Sequence, residues 1–408
     1  LSSLLLILVL GTGLAVYTSS AAHTMDQNTR DQIRHRVGAD VALQEKAGIA
    51  LSEEEIEAGV TAAPRDAATE DHGWMVLPVE YHLRARGVRA AARIVRLPSR
   101  VALAGSFVEG TFFGIDRVSF AQVAYFRPDY SPASLGRLMN RLALEPSGLL
   151  ASRTMLARTG LQIGDRLSLV GLVPLSSQAV TFRIVGVLDY FPTAYPDEGK
   201  VFVGNLDYLA QEVGAEQLHE VWLSVDPDVD IENLIGDLQR VGLRPVSWQD
   251  SRALIREAEL RPERTGLYGF LSAGFLVVVA VCMLAQAVYT LVSFRSRYIQ
   301  FGMLRAVGLS RGELAVSMGG ELGLIVLLGI AAGLGLGLAA SHLYIPFLQM
   351  GYLQADVVPP FVVVVAWKDV AVAAVALVGT LLASNALAVS FLARVRVPDV
   401  LTLGESLT

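Results

Sequence analysis

Cysteine is almost missing from this chain: Cys282 is the only one in 408 residues. No disulfide can form within the chain, so each domain must stand on its own core. Lysine is nearly as scarce. Lys46, Lys200 and Lys368 are the only three, against thirty arginines, and none lies in a G-x-x-x-x-G-K-[ST] context, so there is no P-loop. Neither H-E-x-x-H nor C-x-x-C occurs, and the G-x-S-x-G string at 308–312 lies in an arginine-rich loop between two apolar segments, not on the strand-to-helix elbow that would support a nucleophilic serine. The histidines are scattered. His72 and His82 are ten residues apart across an expected loop and strand, a spacing without metal-binding logic, and His23, His35 and His219 read with them as surface residues. The net charge of −6 carries no sign of nucleic-acid binding. The chain reads as catalytically empty, with no metal or cofactor of its own.

Charge is missing from long stretches as well. Residues 265–294 and 322–355 carry none, although the chain holds 72 charged residues in all. About 20 apolar residues in a helix cross the hydrocarbon of a bilayer, and four segments qualify: 1–22, 268–294, 313–345 and 368–393. They are apolar on every face, whereas a core helix of a soluble protein is amphipathic. The first lacks the basic flank of a signal peptide and the chain opens on Leu1 inside it. It reads as a span whose cytoplasmic flank precedes Leu1.

Orientation follows from the arginines, which favour the cytoplasmic side of spans. Residues 295–312 carry Arg295, Arg297, Arg305 and Arg311 and no acid, and the tail 394–408 adds Arg394 and Arg396. The 346–367 loop has no Lys or Arg at all. The 295–312 loop and the tail are therefore cytoplasmic. Residues 23–267, with 26 Lys+Arg and 33 Asp+Glu, form a large domain outside, since long domains translocate regardless of charge. The expected fold is a multi-pass α-helical membrane protein of four transmembrane helices, with a large α+β extracytoplasmic domain between the first and second.

Within that domain the pattern predicts a polar helical extension over 24–36 ending at Gly38, and a strand over 41–43. A capping-box helix from Ser52 and a loop over 61–72 follow. Alternation predicts strands at 79–83 and 93–97, and a strand with a Gly-rich turn over 101–115. Residues 149–158 read as a helix stopped by Gly160, and 166–170 and 180–188 as strands. An aromatic loop at 190–196, a strand at 201–203 and a helix at 206–213 come next. Residues 221–225, 231–241 and 243–248 read β-α-β with Asp230 as N-cap, before a helix over 251–259 broken at Pro262. The whole reads as one large domain or two lobes between helical stalks.

In the third span Gly329, Gly333 and Gly337 make two overlapping G-x-x-x-G motifs, a smooth groove for another helix. Glu321, two turns into the same span, is costly there unless it reaches the cytoplasmic headgroups beside Arg311 or another arginine. Gln286, Ser384 and Asn385 are placed for hydrogen bonds between helices.

The loop carries a family resemblance. Arg297, Phe301, Gly302, Met303, Leu304, Arg305, Ala306, Val307 and Gly308 match the pattern R-x-R-E-[IF]-G-[ILM]-L-R-A-[LV]-G of FtsX-like ABC-transporter permeases, with Arg295 two residues upstream. Gln300 departs from it, where the family usually has an acid. Residues 148–165, with Gly160-Leu161-Gln162-Ile163-Gly164-Asp165, and the strand over 182–187 are similar to the extracytoplasmic domain of MacB-type permeases. The resemblance implies a non-catalytic permease subunit in the plasma or inner membrane, in contact with membrane lipids. A separate ABC ATPase would bind ATP and dimerise beneath two permease modules, and its closure would pass through the spans to the outer domains, a process called mechanotransmission. It also implies a coupling loop in which Tyr298, Phe301 and Leu304 fill an ATPase groove while Arg297 and Arg305 meet its acidic rim; Arg295, Gly302, Gly308 and Arg311 complete it. Family members come as four-span subunits or as two-module chains, and the opening inside a span suggests one module, the second, of a longer permease. Export or extraction of a lipid, lipoprotein or hydrophobic substrate is the expected function. An ABC-coupled regulator of a cell-wall hydrolase and a sensor without an ATPase remain as alternatives.

Overall fold

The computed structural model describes residues 2–45, 48–49, 74–75, 78–103, 106–172, 178–195, 199–214, 219–297, 300, 303, 310–350 and 358–394. The helix expected from Ser52 and the loop expected over 61–72 lie outside the described residues. There are two compact units, Leu1–Thr29 with Glu259–Thr408, and Arg30–Ala258. Helix α1 (Ser2–Val37) supplies residues to both.

The strands of the outer unit are β1 (Val41–Glu45), β2 (Gly48–Ile49), β3 (Trp74–Met75), β4 (Val88–Leu103), β5 (Ser106–Ile115), β6 (Gly148–Ser152), β7 (Arg166–Val170), β8 (Ala179–Leu188), β9 (Lys200–Asn205), β10 (Glu220–Val225) and β11 (Pro245–Asp250). Its helices after α1 are α2 (Phe120–Val123), α3 (Leu135–Leu144), α4 (Arg153–Thr159), α5 (Leu206–Val213), α6 (Ile231–Arg240) and α7 (Ser251–Leu260). Nine strands form one sheet in the order β11-β1-β10-β4-β5-β9-β6-β8-β7.

Strand β4 serves two structures. From Val88 to Ile94 it pairs with β10, and from Ile94 to Leu103 with β5. At Arg100 and Val101 it also meets β7, the far edge of the sheet, so β4-β5-β9-β6-β8-β7 close into a six-stranded barrel. Val101, Phe112, Leu149, Phe182, Ile184 and Phe202 form its core. The other arm, β11-β1-β10-β4, stays open. Helix α6 lays Leu234, Ile235 and Leu238 on one face against Leu43, Val221 and Leu223. The opposite face packs Ala92, Ile94 and Trp222 with Phe120, Leu138 and Phe191. The expected β-α-β unit is present as β10-α6-β11, and the Asp230 side chain accepts the Asn233 amide as N-cap.

Three local expectations fail. Residues 79–83 form a 3-10 helix, Val79–Arg84, because the positions three apart, Val79 and His82, are the buried ones. His82 is 1% exposed and bonds the Val79 carbonyl and Glu45, so it is no surface histidine. Residues 148–152 are a fully buried strand between β8 and β9, and only 153–159 are helical. Residues 106–115 continue as strand through Gly110, where a Cβ would run into the Lys200 carbonyl of the parallel neighbour β9. Glycine there permits close approach of two backbones rather than a turn.

The membrane unit consists of the apolar half of α1 with α8 (Pro262–Ser296), α9 (Arg311–Met350) and α10 (Trp367–Arg394). All four are long and apolar enough to cross a bilayer. They leave Leu276, Leu284, Leu327 and Leu382 more than half exposed, which suits a surface solvated by lipid chains and not one in water.

Candidate functional site

The inner end of the bundle is where the sequence places its chemistry. Arg295 and Arg297 end α8, with Arg295 exposed. Gln300 and Met303 are helical and exposed in the loop that follows. Tyr298, Phe301, Gly302, Leu304, Arg305 and Gly308 lie outside the described residues, and Arg311 is the first residue of α9. The Arg297 guanidinium donates twice to the Glu321 carboxylate, at 2.7 and 3.2 Å, tying the end of α8 to α9. Arg297 is thus the arginine beside Glu321. A second device begins α9: the Ser310 amide donates to Glu313 at 2.8 Å and the Glu313 amide to the Ser310 hydroxyl at 3.2 Å. This reciprocal capping box satisfies amides that a helix start leaves unpaired. Its Ser-x-x-Glu signature stands at 310–313 and passed unread in the sequence.

Farther into the bundle, Gly329, Gly333 and Gly337 face Leu8, Thr12 and Val16 of α1, which share their four-residue spacing. A Cβ at Gly337 would stand 2.7 Å from the Gly13 carbonyl oxygen, so both backbones meet. Thr12 donates to Leu8 O at 2.6 Å and reaches Gly329 O at 3.3 Å. Between α8 and α10, Gln286 donates to Leu377 O at 3.2 Å, and the Ser384 hydroxyl donates to Thr290 Oγ1 at 3.5 Å. At the outer end Ser19 and His23 both bond Asp369, and the Val364 amide donates to Thr24 at 2.9 Å.

The polar half of α1, beyond Ala22, ends in a buried network of the outer unit. Arg127 and Asp31 are 8% and 7% exposed at their side chains and pair at 2.9 Å, while Asp129 takes the other side of the guanidinium at 2.6 Å. Tyr125 donates to Asp31 at 2.7 Å. One turn on, His35 Nε2 donates to Ala194 O at 3.1 Å, so Nδ1 accepts the Tyr130 hydroxyl at 2.8 Å. Burial lowers the His35 pKa to about 4, with the nearby Arg127 charge acting the same way against the Ala194 bond. Burial also pushes the Tyr130 phenol upward. His35 is a buried neutral strut, not the surface histidine expected. No spacing rule joins Asp31 to Arg127, 96 residues on. Among the described residues no group of His, Cys, Asp and Glu could hold a metal ion.

Two family models match the chain: the MacB-like periplasmic core domain over residues 4–241 and the FtsX-like permease C-terminal over residues 271–397. No curated protein matches it. Several solved structures are similar. The periplasmic region of MacB from Actinobacillus actinomycetemcomitans is 7% identical, covering 56% of this chain and 96% of its own, with a TM-score of 0.33. The extracellular domain of the noncanonic ABC-type transporter YknZ from Gram-positive bacteria is 12% identical, covering 54% and 94%, with a TM-score of 0.29. A domain of a putative permease protein from Porphyromonas gingivalis is 15% identical, covering 40% and 67%, with a TM-score of 0.29. The family match covers the outer unit and the spans alike. The chain belongs to the FtsX/MacB-type permeases, non-catalytic multi-pass membrane proteins with a large extracytoplasmic domain that couple to a separate ABC ATPase.

Proposed function

We propose that this chain is a mechanotransmitting module: the partner ATPase docks at the loop 295–312, and its ATP-driven closure is passed through the spans to the domain 23–267. The substrate class is a lipid, lipoprotein or other hydrophobic molecule, exported or extracted. A second module, from another copy or another half of a longer chain, completes the pair. The observation that supports this reading most is the anchorage of α1. The helix that carries the first span also ends in the Asp31–Arg127 pair and the His35 strut of the outer unit. A buried pair of this kind costs about 3–5 kcal/mol to break by removing one partner, so a push along the helix meets a stiff end.

The loop is tested by Leu304→Asp. Removing a buried anchor costs about 2 kcal/mol or more, so partner ATPase should be recovered with roughly thirtyfold weaker affinity. Arg305→Ala should weaken binding less and reduce its salt dependence, as a rim charge does. Undiminished ATPase recovery by normally inserted Leu304→Asp protein would reduce the loop to a topological anchor. Mass spectrometry of the intact complex then tests the substrate: co-purification of a cell-wall hydrolase in place of a lipid or lipoprotein would make the chain a regulator.

A further inference from the structure

We propose that Arg297 and Glu321 form a clasp that closes the base of the coupling loop, making both positioning residues for the ATPase-driven movement. The proposal rests on the docking reading above for its function, and on geometry alone for its existence. In this assignment Arg297 faces inward to α9, leaving the outer arginines of the loop to meet a partner.

The geometry is specific. Arg297 ends α8, and both arms of its guanidinium reach the two oxygens of Glu321. Such a bidentate fork fixes the direction of approach as well as the distance. An arginine at the cytoplasmic end of a span ordinarily turns out to lipid headgroups. Here residues 295–312 contain no acid, so the carboxylate that captures Arg297 must come from outside the loop. Glu321 supplies it from α9.

A consequence follows for the shape of the inner end. Eleven residues separate the cap Ser310 from Glu321, and at 1.5 Å per residue α9 rises roughly 16 Å between them. The clasp ties Glu321 to Arg297, the residue that caps α8. The first three turns of α9 therefore lie between the clasp and the loop, capped at their start by Ser310 and Glu313. Val316 on these turns is 75% exposed, and Met303 in the loop is 57% exposed. A lever of this form transmits movement only if its base cannot splay, and among the described residues the clasp is the polar contact that joins the end of α8 to α9 there. With the clasp open, displacement of the tip is absorbed by separation of the two helices. With it closed, both helices move together.

The test uses the full chain assembled with its ATPase in liposomes. Arg297→Glu and Glu321→Arg each place two like charges at the base, and should reduce permease-dependent stimulation of ATP hydrolysis at least tenfold. The swap Arg297→Glu with Glu321→Arg restores the pair in reverse, and should recover stimulation to within threefold of the parent. A generally structural role for either charge would not be rescued by the swap. A second readout does not depend on ATPase docking. Spin labels on Ser296→Cys and Gly320→Cys, in a Cys282→Ala background, should give one narrow distance distribution. Each single reversal should broaden it, and the swap should narrow it again. Broad distances in the swap, or narrow ones in the single reversals, overturn the clasp. Narrow distances restored by the swap without restored stimulation leave the clasp standing and refute its role in coupling. Full ATPase recovery by Leu304→Asp refutes the docking reading instead.

Discussion

Alanine at Gly333 probes how closely α1 and α9 approach. A Cβ there would stand 2.8 Å from the Val9 carbonyl oxygen and 2.9 Å from Thr12 Cβ, and would fall on the Thr12 hydroxyl itself. Ordinary contact begins near 3.4 Å. Thr12 can rotate away, but Val9 presents backbone, so α1 must retreat by roughly half an ångström, the kind of forced shift that overpacking imposes. That retreat also lengthens the bond from Thr12 to Gly329 O, already 3.3 Å. Overpacking costs about 1–3 kcal/mol, and an interhelical hydrogen bond in a membrane about 0.6 kcal/mol. Against this, alanine gains up to about 1 kcal/mol of helix propensity over glycine. Packing wins, and a net loss of about 1–2 kcal/mol is expected. Gly335 is the control, because nothing lies within 4 Å of a Cβ added there, and alanine should be neutral or stabilising. The assay is thermal exposure of Cys282 to a thiol-reactive dye in detergent, since this sole cysteine is 2% exposed inside the bundle. Gly333→Ala should melt about 2–4 °C below the parent and Gly335→Ala at or above it. Equal melting of the two variants would refute the close contact.

Three further outcomes are expected. Because His35 is held near pKa 4 in the folded protein, the unfolded chain binds a proton that the folded one rejects between pH 6.5 and about 4. Outer-domain stability should therefore fall by up to about 3 kcal/mol as pH drops through that window; urea melts followed by tryptophan fluorescence should show it, and His35→Gln should remove most of the slope. Arg127→Ala takes the guanidinium away from the buried Asp31 carboxylate and should cost the outer domain about 3–5 kcal/mol, whereas Asp31→Leu with Arg127→Met should regain most of it; a loss under about 1 kcal/mol for the single variant counts against the network. In intact cells with a Cys282→Ala background, a membrane-impermeant thiol reagent should label Ala157→Cys, on the exposed face of α4, and spare Ser310→Cys. Labelling of Ser310→Cys alone would reverse the topology.

The spans were legible because membrane insertion is decided by local composition. A helix of some 20 uncharged residues satisfies its own backbone bonds and needs no partner to be recognised. The same locality made Asp230, Gly160 and the β10-α6-β11 unit readable, since caps and periodicity act within a few residues. The glycine spacing at 329, 333 and 337 announced a groove, but not that Leu8, Thr12 and Val16 fill it. Where the outcome depended on a distant partner, local reading failed. Residues 149–152 have helix-forming side chains, yet become strand because β8 and β9 offer backbone bonds on both edges. The barrel exists only because β4 is long enough for Arg100 and Val101 to meet β7. Asp31 looked like one charge on a polar helix until Arg127 arrived from 96 residues away, and Arg297 had no acid within its own loop until Glu321 reached it from α9. Composition and short-range periodicity determined which segments enter the membrane and which cap their helices. Only the tertiary structure decided which charges are buried in pairs, because an ion pair is worth its desolvation only where folding brings both partners to one place.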